Sequence, residues 1–193
     1  MPPVTDSDTP VVEAVRSGNV RSFSLLVDRH RDRAMTLAVR LVGDRLEAEE
    51  VVQDAFLRAF RALDGFRGDS RFSTWFYRIL YNACMTRLRV SPRPPMEELP
   101  ADGDRLPGLS DEPGLDERLE TEEMRDILLE EMGRLPAAYS TALTLLYVQE
   151  LRYEEIADVL RIPLGTVKTN IFRGRDLLRR RVLERITEEA VSR

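Results

Sequence analysis

The chain has 193 residues, a formal net charge of −5 at pH 7 and one cysteine, Cys84. This length suits one or two small domains, and a single cysteine excludes an internal disulfide and a cysteine-rich zinc site. No apolar run approaches the ~20 residues that span a bilayer, and the polar, acidic N-terminus lacks the pattern of a secretory signal. We therefore expect a protein of the cytoplasm.

The first predicted helix covers residues 23–41, where apolar side chains recur at helical spacing. His30, the single histidine of the chain, falls on the same helix face. Residues 1–11 precede this pattern, and we predict a disordered tail for them. A first helical domain is accordingly predicted for residues 12–90.

The second predicted helix has an apolar face that runs from Ala48 to Leu63. Asp44 and Glu47 resemble a capping box at its start. Its outer face carries five neighbouring side chains, namely Glu50, Gln53, Asp54, Leu57 and Arg61. Leu57 would be an apolar group on an acidic surface, but single exposed leucines are common. Spacing alone therefore favours an incidental exposed leucine over a partner contact.

A third helix is predicted after Gly65 and Gly68, which end the second. Its core side consists of Phe72, Phe76, Ile79, Leu80 and Ala83. Another side carries arginines, a large ring and an amide at helical intervals, namely Arg71, Trp75, Arg78, Asn82, Met85 and Arg89. Such a surface can hold phosphates, stack on bases and bond to base edges, as single-stranded nucleic acid requires. The alternative is a helix that packs through Trp75 and leaves a basic edge in solvent.

Residues 91–121 differ in composition from both flanking segments. They hold nine acidic and three basic side chains and are rich in proline and glycine. Such a segment cannot bury enough apolar surface to fold alone. We predict a flexible acidic linker that joins two helical domains, the second at residues 122–193.

The second domain is predicted to end in a helix-turn-helix. Pro136 can begin one helix at its first turn. A short helix at residues 153–160, a turn at residues 161–164 and a further helix from Thr166 onward then follow. Many turns of this kind carry glycine where Arg161 stands.

Positive charge is concentrated in this motif. Residues 161–181 hold seven basic side chains and one acidic side chain, within an acidic chain. This pattern is typical of a segment that binds a polyanion. The alternative is a basic amphipathic helix that packs on a partner protein.

If Val167 and Ile171 face inward, the outward surface near the start of the second helix consists of Thr166, Lys168, Thr169, Phe172 and Arg173. That half of the helix enters the major groove in such motifs. Lys168 and Arg173 can address guanine O6 and N7, and Thr169 can donate to a base or a phosphate. Backbone phosphates suit the side chains further along, namely Arg175, Arg179, Arg180 and Arg181.

Together these motifs resemble the extracytoplasmic-function (ECF) sigma factors of the sigma-70 family, small subunits that give bacterial RNA polymerase its choice of promoter. The similarity runs from about Val12 to Glu189. The family's polymerase-binding helix is similar to DRLEAEEVVQDAFLRAF, and its −10 element reader to FRGDSRFSTWFYRILYNACMTRLR. Its −35 reader is similar to LPAAYSTALTLLYVQELRYEEIADVLRIPLGTVKTNIFRGRDLLR. The resemblance implies an all-α fold of two small domains.

The resemblance also implies partners. Gln53, Asp54 and Leu57 would dock on the clamp coiled coil of the largest polymerase subunit. The flap of the second-largest subunit would be a further contact, and the linker would run toward the RNA exit path. Most relatives are held inactive by an anti-sigma factor, so such a partner is implied for this chain.

For DNA, the resemblance implies that Asn82 and the loop at residues 65–73 capture an unstacked base of the −10 element. The −35 element would be recognised in duplex form by Lys168, Thr169 and Arg173. Trp75 and Phe76 stand where housekeeping sigma factors have two tryptophans, which weakens a role for both in strand separation.

The sequence thus predicts a sigma factor that binds core polymerase, recognises −35 and −10 elements and assists DNA opening. We expect no catalytic residue, metal or cofactor. A linker of ~30 residues reaches at most about 100 Å, enough for elements two helical turns, or about 70 Å, apart. The alternatives are a free-standing repressor, a response-regulator-like protein, whose receiver domain would need an α/β sequence, and a helical adaptor without a DNA role. An enzyme is the least favoured.

Overall fold

The computed structural model describes residues 6–90 and 122–191, which form helices and connecting turns without a strand. The N-terminal domain comprises α1 (Thr9–Arg16), α2 (Phe23–Val42), α3 (Arg45–Ala62) and α4 (Phe72–Val90). The C-terminal domain comprises α5 (Glu122–Gly133), α6 (Ala137–Leu143), α7 (Tyr153–Leu160) and α8 (Leu164–Val191). The predicted all-α class with two helical domains is confirmed. The predicted linker, residues 91–121, lies outside the described residues.

The first helix, α1, was not predicted. It begins at Thr9, with Pro10 in its first turn, where the missing N–H of proline costs no hydrogen bond. It is held by three buried valines, namely Val11, Val12 and Val15. The disordered tail predicted for residues 1–11 is therefore wrong for residues 6–11, because Asp8 and Val11 are buried against the domain. Residues 1–5 lie outside the described residues.

A buried carboxylate joins α1 to α2. The Asp8 carboxylate lies 2.7 Å from His30 Nε2 and accepts a hydrogen bond of 3.0 Å from Arg29 Nη1. Burial by itself raises the pKa of Asp8, but the hydrogen bonds to His30 and Arg29 outweigh it and hold the pKa below its ordinary value. The single histidine thus fixes the first helix to the second.

The core of the N-terminal domain is built from rings carried by α3 and α4 and by the loop between them. The Phe56 and Phe76 rings stack at 4.4 Å, and Phe72 stacks on Phe76 at 6.0 Å. Tyr77 and Cys84 are buried beside them. α3 begins as predicted, because the Asp44 carboxylate accepts the Glu47 N–H at 2.9 Å.

The core of the C-terminal domain depends on a close approach of α6 and α8. A Cβ atom at Gly174 would lie 3.0 Å from Leu143 Cδ1 and 3.2 Å from Tyr139 Cβ. The absence of a side chain at Gly174 therefore allows the two helices to cross at this distance. Among the described helices, none combines the length and hydropathy needed to cross a bilayer.

The predicted helix-turn-helix is formed by α7 and α8. Arg161 lies at the C-terminus of α7 with φ 56° and ψ 44°, in the left-handed region. This conformation explains why glycine suits the position, since a Cβ atom is disfavoured there. The predicted turn at residues 161–164 is confirmed, except that α8 begins at Leu164 rather than at Thr166.

Candidate nucleic-acid and polymerase interfaces

Helix α8 carries two distinct faces, about 100° apart around its axis. Its inner face is buried and consists of Val167, Ile171, Gly174 and Leu178. The outer stripe consists of the four residues that directly follow these in the sequence, namely Lys168, Phe172, Arg175 and Arg179. The predicted inward orientation of Val167 and Ile171 is confirmed. Phe172 leaves 45% of its surface exposed, so it can make apolar contact outside the domain.

Three further predicted residues of α8 lie beside this stripe and are half-buried, namely Thr166, Thr169 and Arg173. The Thr169 hydroxyl donates to the Gly165 carbonyl at 3.0 Å. To donate to DNA, as predicted, it would have to leave this bond, although it can accept while the bond persists. Of these three residues, Arg173 has the long, positively charged side chain.

Arg175 is oriented by a neighbouring ring. Its Nε atom donates to the Tyr147 hydroxyl at 2.7 Å, and its guanidinium carbon lies 5.5 Å from the ring centroid. Tyr147 belongs to a π-helical turn, Thr144–Val148, which follows α6. This hydrogen bond uses Nε and leaves the two terminal nitrogens of Arg175 for another acceptor.

Two arginines that were predicted to contact phosphates lie beside carboxylates in the structure. Arg180 Nη2 donates to Asp176 at 2.6 Å, and Arg181 Nη1 lies 3.7 Å from the buried carboxylate of Glu131. Arg185 also bonds to Glu131 at 3.2 Å. These pairs tie α8 to itself and to α5, although the Arg180 side chain stays 64% exposed.

The predicted surface of α4 is brought together only in part. Arg78 and Arg89 are exposed, whereas Arg71, Trp75 and Asn82 are half-buried. The Nε atom of Arg71 lies 3.3 Å from Glu155 Oε1, on α7 of the other domain. Arg71 is therefore already paired with a carboxylate.

Trp75 belongs partly to the core and partly to the surface. Its ring packs against Phe66 and Phe72, with centroids 5.1 Å and 5.8 Å away, yet it is not fully buried. The ring thus packs on the core while staying partly accessible, and its stacking on a base stays a prediction. The adjacent Phe76, by contrast, is 0% exposed and cannot reach DNA without disruption of the core.

The loop between α3 and α4 is anchored from below. Phe66 is buried under it, and Gly68 adopts φ 75°, where glycine carries no steric cost. Arg67 and Asp69 lie 3.2 Å apart at the exposed tip of the loop. This arrangement holds a mostly polar loop beside Trp75.

The predicted outer face of α3 is a continuous surface. Glu50, Gln53, Leu57 and Arg61 are exposed, and Asp54 is half-exposed. Asp54 pairs with Arg58 at 2.7 Å, and Glu50 with Arg87 of α4 at 3.1 Å. The face therefore combines paired charges with the isolated Leu57, which is 45% exposed.

Sequence reasoning missed one apolar residue of this face. Leu46 is 73% exposed on α3, and it precedes Leu57 by three helical turns. That spacing places both leucines on the same side of the helix. The signal was available in the sequence as a second apolar residue off the core face.

Comparison with known proteins identifies both domains. Residues 26–92 match Sigma-70 region 2, and residues 125–178 match Sigma-70, region 4. The chain is 38% identical over 180 residues to the RNA polymerase sigma-H factor of Pseudomonas aeruginosa, covering 90% of this chain and 92% of that one. It is 37% identical over 184 residues to the ECF RNA polymerase sigma-E factor of Escherichia coli, covering 91% and 94%.

Solved structures share the fold. CnrH in complex with the cytosolic domain of CnrY aligns with a TM-score of 0.62 at 24% identity, covering 90% of this chain and 95% of that one. The sigma factor RpoE in complex with the anti-sigma factor NepR from Bartonella quintana aligns at 0.55 and 22% identity, covering 92% and 94%.

A region 2 domain followed by a region 4 domain defines the sigma-70 class of transcription factors. Within that class, the chain belongs to the extracytoplasmic-function (ECF) sigma factors, as its similarity to a sigma-E factor over nine-tenths of its length demonstrates. Its function is promoter-specific initiation of transcription. The resemblance noted in the sequence is confirmed.

Proposed function

We propose that this sigma factor divides its work among three faces. The outer face of α3 binds core RNA polymerase, the α4 surface with the preceding loop captures the −10 element, and the outer stripe of α8 recognises the −35 element. Nucleotide addition remains with the polymerase, so the sigma factor contributes binding and orientation. It acts where the chromosome and polymerase are, in the cytoplasm.

The division of α8 into two faces is the observation that best supports this proposal. A buried stripe fixes the helix against its domain, while Lys168 and Phe172 are exposed on the neighbouring face and Arg175 lies half-buried on it. A helix of this kind can enter the major groove without loss of its packing. Arg173 and Lys168 supply donors for guanine, and Arg175 and Arg179 supply charge for phosphates.

At the −10 element, the α4 surface would stabilise a base that has left the duplex. Unstacking costs a few kcal/mol per base, so a site must offset part of that cost. The exposed edge of Trp75 can stack on a base, Asn82 can bond to a base edge, and Arg78 and Arg89 can hold the backbone. The buried Phe76 takes no part in this scheme.

At the polymerase, α3 offers a rim of charges around two exposed leucines. We propose that Leu57 and Leu46 contact an apolar strip on the clamp coiled coil of the largest subunit, with Gln53 and Asp54 fixing the register. Small apolar anchors within a polar rim are typical of protein interfaces. The flap of the second-largest subunit is the proposed partner of the C-terminal domain.

An anti-sigma factor is the proposed regulator. RpoE from Bartonella quintana, which shares the fold, was solved in complex with the anti-sigma factor NepR. The exposed leucines of α3 would give such a partner a surface that polymerase also needs. Competition for this face would then keep transcription off until the inhibitor is released.

Run-off transcription with core polymerase and a promoter library tests the −35 assignment. We expect Arg173→Ala to lose about 1–3 kcal/mol of binding at one base pair of the −35 element, with discrimination relaxed at that position alone. Arg31→Ala removes an exposed arginine of α2 and is the matched control, for which we expect unchanged promoter choice. A uniform loss across all promoters would show that Arg173 contacts only phosphate.

The same assay separates the alternatives. Sequence-specific duplex binding by the free chain, equal to that of the polymerase complex, would indicate a free-standing repressor. Unchanged transcription after Arg173→Ala combined with Lys168→Ala would favour an adaptor without a DNA role.

The polymerase face is tested by exposed leucines on two helices of the N-terminal domain. Leu57→Asp should abolish stable association with core polymerase, because a charge would be buried at an apolar contact. Leu25→Asp makes the same change at a leucine that is 48% exposed on α2, and association should persist. Equal behaviour of the two variants in a co-purification assay would contradict the α3 assignment.

A further inference from the structure

Three residues of α6 and of the π-helical turn after it contact α8 at a spacing of four, namely Tyr139, Leu143 and Tyr147. An added Cβ atom at Gly174 would lie 3.2 Å from Tyr139 Cβ and 3.0 Å from Leu143 Cδ1. Tyr147 is the next residue of this series, and Arg175 directly follows Gly174. The close crossing therefore brings the Tyr147 hydroxyl within reach of Arg175, whose Nε atom donates to it at 2.7 Å.

Tyr147 is supported by a wide backbone turn. The Gln149 N–H donates to the Thr144 carbonyl, five residues earlier, at 3.1 Å, and the Thr144 hydroxyl donates to the Ser140 carbonyl at 2.8 Å. Turns of this π type are rare and occur frequently at functional sites. Because Tyr147 is half-buried and its side chain has few rotatable bonds, it is a stiffer support than the arginine that it holds.

The hydroxyl that holds Arg175 is neutral, whereas three other arginines of α8 lie beside carboxylates. Those three are 2.6 Å, 3.7 Å and 2.7 Å from a carboxylate oxygen, namely Arg180, Arg181 and Arg185. The Tyr147 hydroxyl accepts from Arg175 without cancelling its charge, and the ring, whose centroid is 5.5 Å from the guanidinium carbon, attracts a cation. Arg175 is thus oriented while its positive charge stays available to an anion.

An arginine that is already oriented binds an anion more tightly than a freely moving one. A long side chain loses rotamer freedom when it binds a phosphate, and this loss opposes binding. Where a neighbouring group has oriented the side chain in the free protein, the loss has occurred on folding instead. Since Tyr147 engages only Nε of Arg175, the terminal nitrogens can donate two parallel hydrogen bonds to one phosphate.

We propose that Tyr147 is a positioning residue for promoter binding, and that it holds Arg175 ready for one backbone phosphate of the −35 duplex. This inference rests on the proposed function of α8, and it gives a role to a residue outside that helix. Phosphate contacts carry no sequence information, so this one sets the affinity and the register of α8 on the duplex. Discrimination between bases stays with Lys168 and Arg173.

Binding of the complex between this chain and core polymerase to a promoter duplex, measured by fluorescence anisotropy over a range of salt concentrations, tests this role. Tyr147→Phe removes the hydroxyl and keeps the ring, and it should weaken binding roughly threefold to tenfold, because a charge-assisted hydrogen bond is lost. The loss should be equal for all −35 sequences, and the salt dependence should stay nearly unchanged, since Arg175 keeps its charge. Tyr139→Phe makes the same change at another half-buried tyrosine and should leave binding unaltered.

Two comparisons separate positioning from a merely structural role. Arg175→Ala should weaken binding at least as much as Tyr147→Phe and should reduce the salt slope by about 1, as one lost phosphate contact requires. In the Arg175→Ala chain, Tyr147→Phe should cost nothing further. Neutral methylphosphonates placed one at a time in the −35 backbone should include one position at which the unaltered chain and both single variants bind equally.

A further loss from Tyr147→Phe in the Arg175→Ala chain, an equal loss from Tyr139→Phe, or the lack of an equalising methylphosphonate position would overturn the proposal. Should circular dichroism show that Tyr147→Phe unfolds the domain, Arg175→Lys takes its place in the test. Lysine keeps the charge without the planar fork, so the same loss is expected with the salt slope retained.

The outcomes also distinguish this proposal from the function on which it rests. If Arg175→Ala binds promoters like the unaltered chain while Arg173→Ala loses discrimination, the positioning role of Tyr147 fails alone. If Arg175→Ala and Arg173→Ala are both without effect, the proposed function of α8 fails as well.

Discussion

The two domains bury their cores in different ways. In the N-terminal domain, rings from α3, α4 and the loop between them stack on one another, and Phe76 lies at their centre. In the C-terminal domain, aliphatic side chains and a close helix crossing at Gly174 replace the rings. The ring cluster of the N-terminal domain extends to Trp75, which is partly exposed. The inner stripe of α8, by contrast, consists of buried residues alone.

This difference affects how each surface is coupled to its core. The exposed residues of the outer stripe, Lys168, Phe172 and Arg179, can change with little change in packing, because the inner stripe is separate. Trp75 cannot change without effect on Phe66 and Phe72, against which it packs. Promoter preference at the −35 element should therefore tolerate substitution more readily than recognition at the −10 element.

The largest expected effect is the loss of a core ring. Phe76→Ala should destabilise the N-terminal domain by about 3–5 kcal/mol, because it removes a fully buried ring and leaves a cavity. Trp75 is the single tryptophan, so its fluorescence reports unfolding of this domain during denaturant titration. Phe172→Ala truncates a ring that is 45% exposed and should change stability little. Similar losses in both variants would contradict the contrast between the two cores.

A smaller effect is expected at the helix crossing. Gly174→Ala should cost about 1 kcal/mol net, because overpacking against Leu143 and Tyr139 outweighs the gain in helix propensity. Gly165→Ala in the same helix has no heavy atom within 4 Å of the added Cβ. That control should keep the propensity gain and raise the melting temperature. Stabilisation by both substitutions would show that the crossing of α6 and α8 can accommodate a Cβ atom at position 174.

The smallest effect is expected at the turn of the helix-turn-helix. Arg161→Gly should stabilise the C-terminal domain by about 0.5–1 kcal/mol, since it removes the strain of a left-handed residue at some cost in chain entropy. Thermal unfolding followed by circular dichroism measures the change. Arg161→Ala keeps a Cβ in the same conformation and should not stabilise. A lower melting temperature for the glycine variant would indicate that the arginine side chain itself supports the turn.

The sequence was sufficient for the features that depend on helical periodicity. The inward face of α8, the cap at Asp44 and the exposed face of α3 all follow from spacing along one helix. The turn at Arg161 was likewise predicted from the spacing of the two helices that flank it, and not from its own residue type.

Features that depend on contacts between distant segments were not predicted. Asp8 meets His30 across 22 positions, and Glu155 meets Thr74 across 81. Neither pair has a periodic signature, because the fold alone brings its members together. The short helix α1 was missed for a related reason, since its three buried valines need α2 and the rest of the domain to cover them.

The position of Cys84 has a consequence for oxidative signalling. Burial raises the pKa of its thiol to about 12, so almost none is ionised at neutral pH. Peroxide and disulfide exchange both act on the thiolate. With no other cysteine in the chain, a thiol-based redox signal that alters this sigma factor's output would have to be sensed by a binding partner.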